Sequence, residues 1–203
     1  RRGRRMFVVR ERADLLRAYQ ALEDPTAPNL MLQEYIPGGT GATWMFNGYF
    51  DAGSRCVVGF TGQKLRQHPI HGGSTSLGIC RRNDAVAALT RRFMSAIAYR
   101  GPVDIDYCHD ARDGRYKVLD VNPRIGATFR LFVRGDGVDV ARALYLDLTG
   151  QPVPPGPIHD GRRWLVEDLD LVSSLQTWRR GGPGLREWAR SLRGVEEAAY
   201  LAR

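Results

Sequence analysis

The amino-acid sequence predicts an α+β fold: an antiparallel sheet with helices packed on one side, followed by a small and mostly helical C-terminal appendix. Three observations lead to this prediction. An aromatic-rich alternating segment, Thr43–Phe50, is joined by a turn to a second alternating segment. Two other segments place apolar residues at helical spacing. Residues 103–122 form two alternating runs around a turn composition, which is typical of a β-hairpin.

The first half of the chain contains five predicted elements. These are a helix over residues 11–22, strands over 30–36, 43–50 and 55–61, and a glycine-rich loop over 69–75. The helix has four apolar side chains on one face and is broken by a segment containing two prolines. The strand 30–36 ends at Pro37-Gly38.

The second half continues with a helix capped by Asn83, whose side chain can accept a hydrogen bond from the first turn. The other predicted elements are the hairpin, a helix over Val138–Leu148, a strand over Arg163–Val166, and short helices over Leu185–Leu192 and Val195–Ala202. Residues 151–157 contain four prolines, so they form a stiff linker and the best domain boundary in the sequence.

The composition is that of a globular protein. The chain has 203 residues, of which 43% are hydrophobic, and this is enough to bury a core. No segment approaches the roughly 18 uninterrupted apolar residues that a membrane span needs. Three cysteines at no metal-like spacing indicate reduced thiols, so we expect a cytoplasmic protein without a disulfide framework.

The net charge of +8 indicates anionic ligands. Lys64 and Lys117 are the only lysines, and arginine is the better partner for phosphate and carboxylate groups. A nucleotide and a nucleic acid both fit this composition. However, the densest basic cluster, at residues 1–5, is more typical of a solvated tail than of a nucleic-acid-binding arm.

The hairpin carries the most informative pattern in the sequence. If it is centred near Asp113, Asp106 lies opposite Asp120, and Asp104 lies opposite Asn122. Side chains alternate between the faces of a strand, so these four oxygen-bearing side chains would share one face. The residues expected to point toward a core on the other face are Val103, Ile105, Tyr107, Leu119 and Val121.

Three carboxylates and an amide on one face repel one another across the strands, and a bound hard cation removes this conflict. Mg²⁺ prefers oxygen ligands, uses one or two carboxylates, and takes further ligands from water and nucleotide phosphates. A bound magnesium nucleotide therefore suits the pattern better than a protein-caged Ca²⁺. The alternative is a solvent-exposed polar face of an edge hairpin.

The acidic Asp106, followed by Asp120-Val-Asn122-Pro123-Arg124, resembles the last catalytic strands of the ATP-grasp superfamily. This resemblance implies that Asp106, Asp120 and Asn122 bind Mg²⁺, with Mn²⁺ as the alternative metal. It also implies that Arg124 is catalytic and stabilises the transferring phosphoryl group or the acyl phosphate. Asp104 is expected to lie behind these ligands.

A second similarity lies upstream, where residues 33–38 look like the interdomain hinge strand of the superfamily. It implies an ATP-binding segment in which Glu34 and the backbone of Tyr35 and Ile36 meet the adenine edge. The cofactor-binding residues implied by the resemblance are Gln33, Glu34, Tyr35, Ile36, Lys64 and Arg66. For the two cations, exposed surface charge is the alternative.

The resemblance covers about residues 7–150 and implies a division of the chain. Residues 1–29 would be the remnant of an N-terminal subdomain, 30–150 the nucleotide- and metal-binding subdomain, 151–157 the linker and 158–203 the appendix. The lysine strand and glycine-rich loop of the superfamily have no counterpart before Leu30. The sequence therefore looks truncated at its front.

The implied function is an ATP- and Mg²⁺-dependent ligase. It would activate a small-molecule carboxylate as an acyl phosphate for attack by an amine or a thiol. A degenerate, non-catalytic ATP-grasp binding module is the second hypothesis, and a basic nucleic-acid-binding domain is a distant third. No membrane partner is expected, and homo-oligomerisation is left open.

Overall fold

A computed structural model of the chain describes residues 7–27, 30–38, 41–69 and 73–200. The basic cluster at residues 1–5 and part of the glycine-rich loop lie outside these ranges. The described residues fall into two compact units, divided between residues 37 and 38. None of the helices in the described ranges combines the length and apolar character needed to cross a bilayer.

The larger unit is built on one seven-stranded sheet with the strand order β5-β4-β1-β2-β3-β6-β7. Its strands are β1 (Thr43–Phe50), β2 (Cys56–His68), β3 (Ser74–Cys80), β4 (Gly101–Asp110), β5 (Arg115–Asn122), β6 (Arg163–Leu165) and β7 (Val195–Ala198). All neighbouring strands are antiparallel except β6 and β7, which are parallel. The predicted antiparallel sheet is thus present, and β3 is a strand that the sequence did not indicate.

Five α-helices lie in the described ranges. They are α1 (Arg12–Leu22), α2 (Asp84–Ala96), α3 (Val140–Leu148), α4 (Glu167–Arg179) and α5 (Leu185–Ser191), and a short 3₁₀ turn spans Phe129–Leu131. Asn83 caps α2 as predicted, since its side chain accepts a hydrogen bond from the backbone N–H of Val86. Asp139 caps α3 in the same way through Arg142.

Helices cover the sheet on both faces, and the expectation that they pack on one side is wrong. Neighbouring residues of β1 belong to different cores: Phe46 packs in a cluster with side chains of α2 and β4, and Met45 packs in one with α3 and the 3₁₀ turn. Consecutive side chains of a strand point to opposite faces, so two cores on one strand require two covered faces.

The smaller unit contains α1, which has no buried side chain. The prediction of a strand over residues 30–36 is wrong, because residues 30–38 form neither helix nor strand. A strand exists only where a neighbouring strand exchanges backbone hydrogen bonds with it. An apolar run ending at Pro-Gly does not reveal whether such a neighbour is present.

The C-terminal region differs from the predicted helical pattern in two places. Residues Val195–Ala198 form β7 rather than a helix, because they pair with β6 at the edge of the sheet. Helix α4 was not predicted. Its buried residues are polar, Asp170, Ser173 and Ser174, while Leu171 and Val172 are exposed, so its apolar pattern gives no helical signal.

Candidate functional site

The hairpin β4–β5 has the predicted register at the end away from its turn, which we call the open end. Asp106 pairs with Asp120, and Asp104 pairs with Asn122. Toward the turn the register shifts by one residue, because Tyr107 pairs with Val118 and Leu119 is left as the extra residue of a bulge. The four oxygen-bearing side chains therefore lie on adjacent, directly opposed positions, as the sequence predicts.

The apolar side of the hairpin agrees with the prediction on β4 only. Val103, Ile105 and Tyr107 are buried, but Val121 is 37% exposed. The prediction that Val121 points into a core is not met, because β5 is the edge strand of the sheet. Leu119, at the bulge that interrupts the alternation of β5, is half-buried.

The carboxylates at the open end are crowded and partly removed from water. Burial, together with the charge of Asp106, raises the pKa of Asp104 to about 6. Burial also raises the pKa of Asp106, to which Asp120 adds, although the neighbouring lysine opposes the shift. Removal from water, followed by repulsion between neighbouring carboxylates, thus disfavours the charged forms here.

Lys64 is the cation that reaches this group from the sheet. Its Nζ atom lies 2.6 Å from Asp106 Oδ2 and also donates a hydrogen bond to the carbonyl of Gly73 at 3.3 Å. The side chain extends from β2 past β1 to β4 and is 7% exposed. The structure therefore places Lys64 beside a predicted metal ligand.

Asn122 and Arg124 continue the same group at the end of β5. The Asn122 amide donates to Asp120 Oδ2 at 2.8 Å, and its Oδ1 accepts from Arg124 Nη2 at 3.0 Å. Asp120 and Arg124 are exposed. The chain Asp120–Asn122–Arg124 thus presents carboxylate, amide and guanidinium groups side by side at an accessible edge.

A buried network behind these residues was not indicated by the sequence analysis. Asn47 of β1 donates to Asp104 Oδ1 at 2.8 Å and to Thr128 Oγ1 at 3.4 Å. A methyl group on Gly126 would lie 2.3 Å from Asp104 Oδ2, so the loop after β5 packs directly against this carboxylate. One signal was available, because Asn47 is an amide within an otherwise apolar strand and such a buried group needs partners.

Arg66 is not brought into this group. Its guanidinium donates to both oxygens of Asp170 at 2.7 Å and to Ser191 Oγ at 2.7 Å. Lys64 and Arg66 are two residues apart and would share a face in a regular strand. The register of β2 is irregular between them, and such a bulge re-aims side chains.

The predicted adenine-contact segment lies in the smaller unit. Gln33, Glu34 and Tyr35 are exposed, and Ile36 is half-buried. The hairpin lies in the larger unit, so the role of these four residues in nucleotide contact stays a prediction.

The donor set at the open end suits a hard divalent cation. Across the described ranges, no group of three or more His, Cys, Asp or Glu side chains is arranged to hold a metal by itself. The predicted set has two carboxylates and one amide, a protein contribution that Mg²⁺ accepts when water and phosphate supply the other ligands. Coordination by Asn122 would require its Oδ1, which now faces Arg124, to turn toward the cation.

No protein-family model matches the chain. Among curated proteins, it is similar to a D-aspartate ligase of Enterococcus faecium (strain Aus0004), with 28% identity over 138 residues. The match covers 66% of this chain and 32% of that protein, so the chain spans about a third of the length of the curated relative.

Two solved structures share the fold. The biotin carboxylase domain of the Hydrogenobacter thermophilus 2-oxoglutarate carboxylase, in complex with MgADP, ADP and bicarbonate, matches with a TM-score of 0.58 and 15% identity, over 76% of this chain and 36% of that one. The same type of domain from a thermophilic 2-oxoglutarate carboxylase, bound to bicarbonate, matches with a TM-score of 0.54 and 15% identity, over 76% and 37%. The predicted α+β class is confirmed, and the chain shares its fold with these two biotin carboxylase domains.

Proposed function

We propose that this chain supplies the magnesium-nucleotide half-site of an ATP-dependent ligase that activates a carboxylate as an acyl phosphate. In this reaction a carboxylate oxygen attacks the terminal phosphorus of ATP, and ADP leaves. An amine, or alternatively a thiol, then attacks the acyl carbon, losing a proton as phosphate departs.

One observation carries this proposal. Asp106 of β4 and Asp120 of β5 are directly opposed, and Asn122 and Arg124 follow Asp120 in the sequence. The raised pKa of Asp106 reflects a carboxylate that would be stabilised by a further positive charge. A solvated polar face would not need a buried lysine and a buried amide network behind it.

The proposed roles follow from the chemistry of each side chain. Asp106, Asp120 and the Asn122 amide oxygen would hold Mg²⁺, or Mn²⁺ in its place. Arg124, which is exposed and planar, would donate to anionic oxygens of the reacting group. Lys64 would orient Asp106 and offer its ammonium to phosphate. When bound, the nucleotide would supply the phosphoryl group, and Mg²⁺ would offset the negative charge that develops on this group during transfer.

Arg66 has a different proposed role from the one that the resemblance implies. Both of its carboxylate contacts go to one buried aspartate, so we assign it to holding the C-terminal helices rather than the nucleotide. Gln33, Glu34, Tyr35 and Ile36 keep their proposed role at the adenine.

The experiment that tests the proposal is a calorimetric titration of the chain with a non-hydrolysable ATP analogue, with and without Mg²⁺. We expect binding that requires the metal, and we expect Mn²⁺ to replace it. Binding that is equally strong in the presence of a chelator would contradict the proposed metal ligands. A fall in affinity with salt for random DNA, without any nucleotide binding, would favour the basic nucleic-acid-binding hypothesis.

Turnover is tested by following ADP release with candidate acids and amines. The similarity to a D-aspartate ligase makes amino acids the first acids to test, with D-aspartate among them. Metal-dependent nucleotide binding without ADP release in any mixture, for a chain extended to the length of that relative, would favour the non-catalytic binding module.

A further inference from the structure

A buried carboxylate, that of Asp170 in α4, links the C-terminal helices to the sheet. This residue is 0% exposed and accepts two hydrogen bonds from Arg66 at 2.7 Å, one from Trp188 Nε1 at 2.8 Å and one from Ser76 Oγ at 3.1 Å. A buried charge is tolerated when it is paired and hydrogen-bonded. Its donors come from β2, β3 and α5, so Asp170 joins three elements at one point.

The segment of β2 that contains Arg66, the partner of Asp170, pairs irregularly with β3. The pairing of β2 with β3 shifts between Lys64 and Arg66, and shifts again between Arg66 and Gln67. Irregular pairing leaves residues without a ladder partner and increases the local twist. Leu65 and Ser76 are the two positions that these shifts leave out of the register.

Helices α4 and α5 add side-chain contacts to this segment. Ser173 Oγ donates to the carbonyl of Gln67 at 2.9 Å, and Arg66 Nη1 donates to Ser191 Oγ at 2.7 Å. Together with Asp170, these contacts hold both residues that follow the first irregularity.

Lys64 immediately precedes this segment, and its side chain must pass β1 to reach Asp106. We propose that Asp170 is a positioning residue: by fixing Arg66, it sets the conformation of irregular β2 and directs Lys64 to Asp106. On this account the C-terminal region is part of the site's framework rather than a separate appendix. The inference rests on the proposed function in one respect: that the aligned Lys64–Asp106 pair receives a magnesium nucleotide.

The two lysines of the chain allow a direct test by acetylation. Lys64 and Lys117 are each paired with an aspartate, Asp106 and Asp110, so Lys117 serves as the internal reference. The chain is exposed briefly to N-hydroxysuccinimidyl acetate, and the acetylation of each lysine is quantified by mass spectrometry. The variants are Asp170→Asn, Ser173→Ala and, as a matched control on the same helix, the exposed Asp168→Asn.

We expect Asp170→Asn to raise the acetylation rate of Lys64 relative to Lys117 by about tenfold, because local opening exposes a side chain that is now buried. Ser173→Ala should raise the ratio by about threefold, and Asp168→Asn should leave it within about twofold of wild type. An unchanged ratio in folded Asp170→Asn protein would overturn the proposal. If that variant does not fold, Ser173→Ala decides in the same way.

Nucleotide titrations separate this inference from the proposed function. If wild type binds the ATP analogue with Mg²⁺, Asp170→Asn should bind it about tenfold more weakly, with normal circular dichroism. If wild type binds no nucleotide, the proposed function fails, but the acetylation ratio still decides whether Asp170 positions Lys64.

Discussion

The two ends of the hairpin β4–β5 each carry an aspartate paired with a lysine, but their electrostatics are opposite. At the turn end, Asp110 is fully buried and accepts hydrogen bonds from Lys117 and from the backbone and side chain of Arg112. These hydrogen bonds, of which those from Arg112 have the largest effect, hold the pKa of Asp110 well below its usual range. At the open end, burial raises the pKa values of Asp104 and Asp106.

Under the proposed function, this difference separates a structural charge from one that binds a ligand. The protein neutralises Asp110 with two cations of its own, so this carboxylate stabilises the turn. The open end has three carboxylates, and Lys64 is the cation that contacts one of them directly in the described ranges. On the proposed function, a cation from solution would therefore bind at the open end and not at the turn.

The largest effect is expected from Asp120→Asn, which removes a charged oxygen ligand. We expect the Mg²⁺-dependent affinity for the ATP analogue to fall by about 100-fold, because metal sites depend strongly on ligand charge. Asp120 is exposed, so circular dichroism should be unchanged. Asp113→Asn, at the turn end of the same hairpin, is the control. An equal loss of affinity in both variants would remove the distinction between the two ends.

A smaller effect is expected when the loop behind the open end is displaced. In Gly126→Ala the new methyl group would meet Asp104 Oδ2 at 2.3 Å. We expect a loss of roughly 1–3 kcal/mol in the free energy of unfolding, as is usual for overpacking, measured by urea denaturation. Gly135→Ala is the control, since its nearest neighbour would lie at 3.9 Å. Equal stability of the two variants would contradict tight packing on Asp104.

Arg124→Ala is expected to weaken binding of the ATP analogue by about tenfold through the loss of charge-assisted hydrogen bonds to an anionic oxygen. Arg124→Lys should recover only part of this affinity, because lysine cannot donate in a fork. Arg115→Ala, at the turn end of β5, provides the comparison by the same titration. An Arg124→Ala variant that binds like wild type would exclude Arg124 from nucleotide contact.

The smallest effect concerns the acid stability of the turn end. The folded-state pKa of Asp110 is lowered, so its stabilisation is present above the unfolded pKa of about 3.9 and is lost as pH falls further. Asp110→Asn should therefore melt below wild type at pH 7, and the two melting temperatures should begin to approach each other below about pH 4, as pH falls toward the folded pKa. Thermal melts between pH 7 and pH 3 measure this. A constant difference across that range would show that Asp110 does not act through its charge.

The sequence was a good guide wherever a residue's role depends on its near neighbours. The register at Asp106–Asp120 follows from alternation on both sides of one turn, and the caps of α2 and α3 follow from local hydrogen bonding. It failed at α4, whose buried side chains are polar because they meet polar groups of distant strands. It also failed at β7, where pairing with β6 overrides helix propensity.

The sequence by itself determined the α+β class, the acidic face of the hairpin and the order of Asp106, Asp120, Asn122 and Arg124, because these depend on local periodicity. The tertiary structure decided the partners of the two nearby cations. Lys64 joins the acidic face and Arg66 joins Asp170, more than 100 residues away, because irregular strand pairing separates two side chains that alternation would place together.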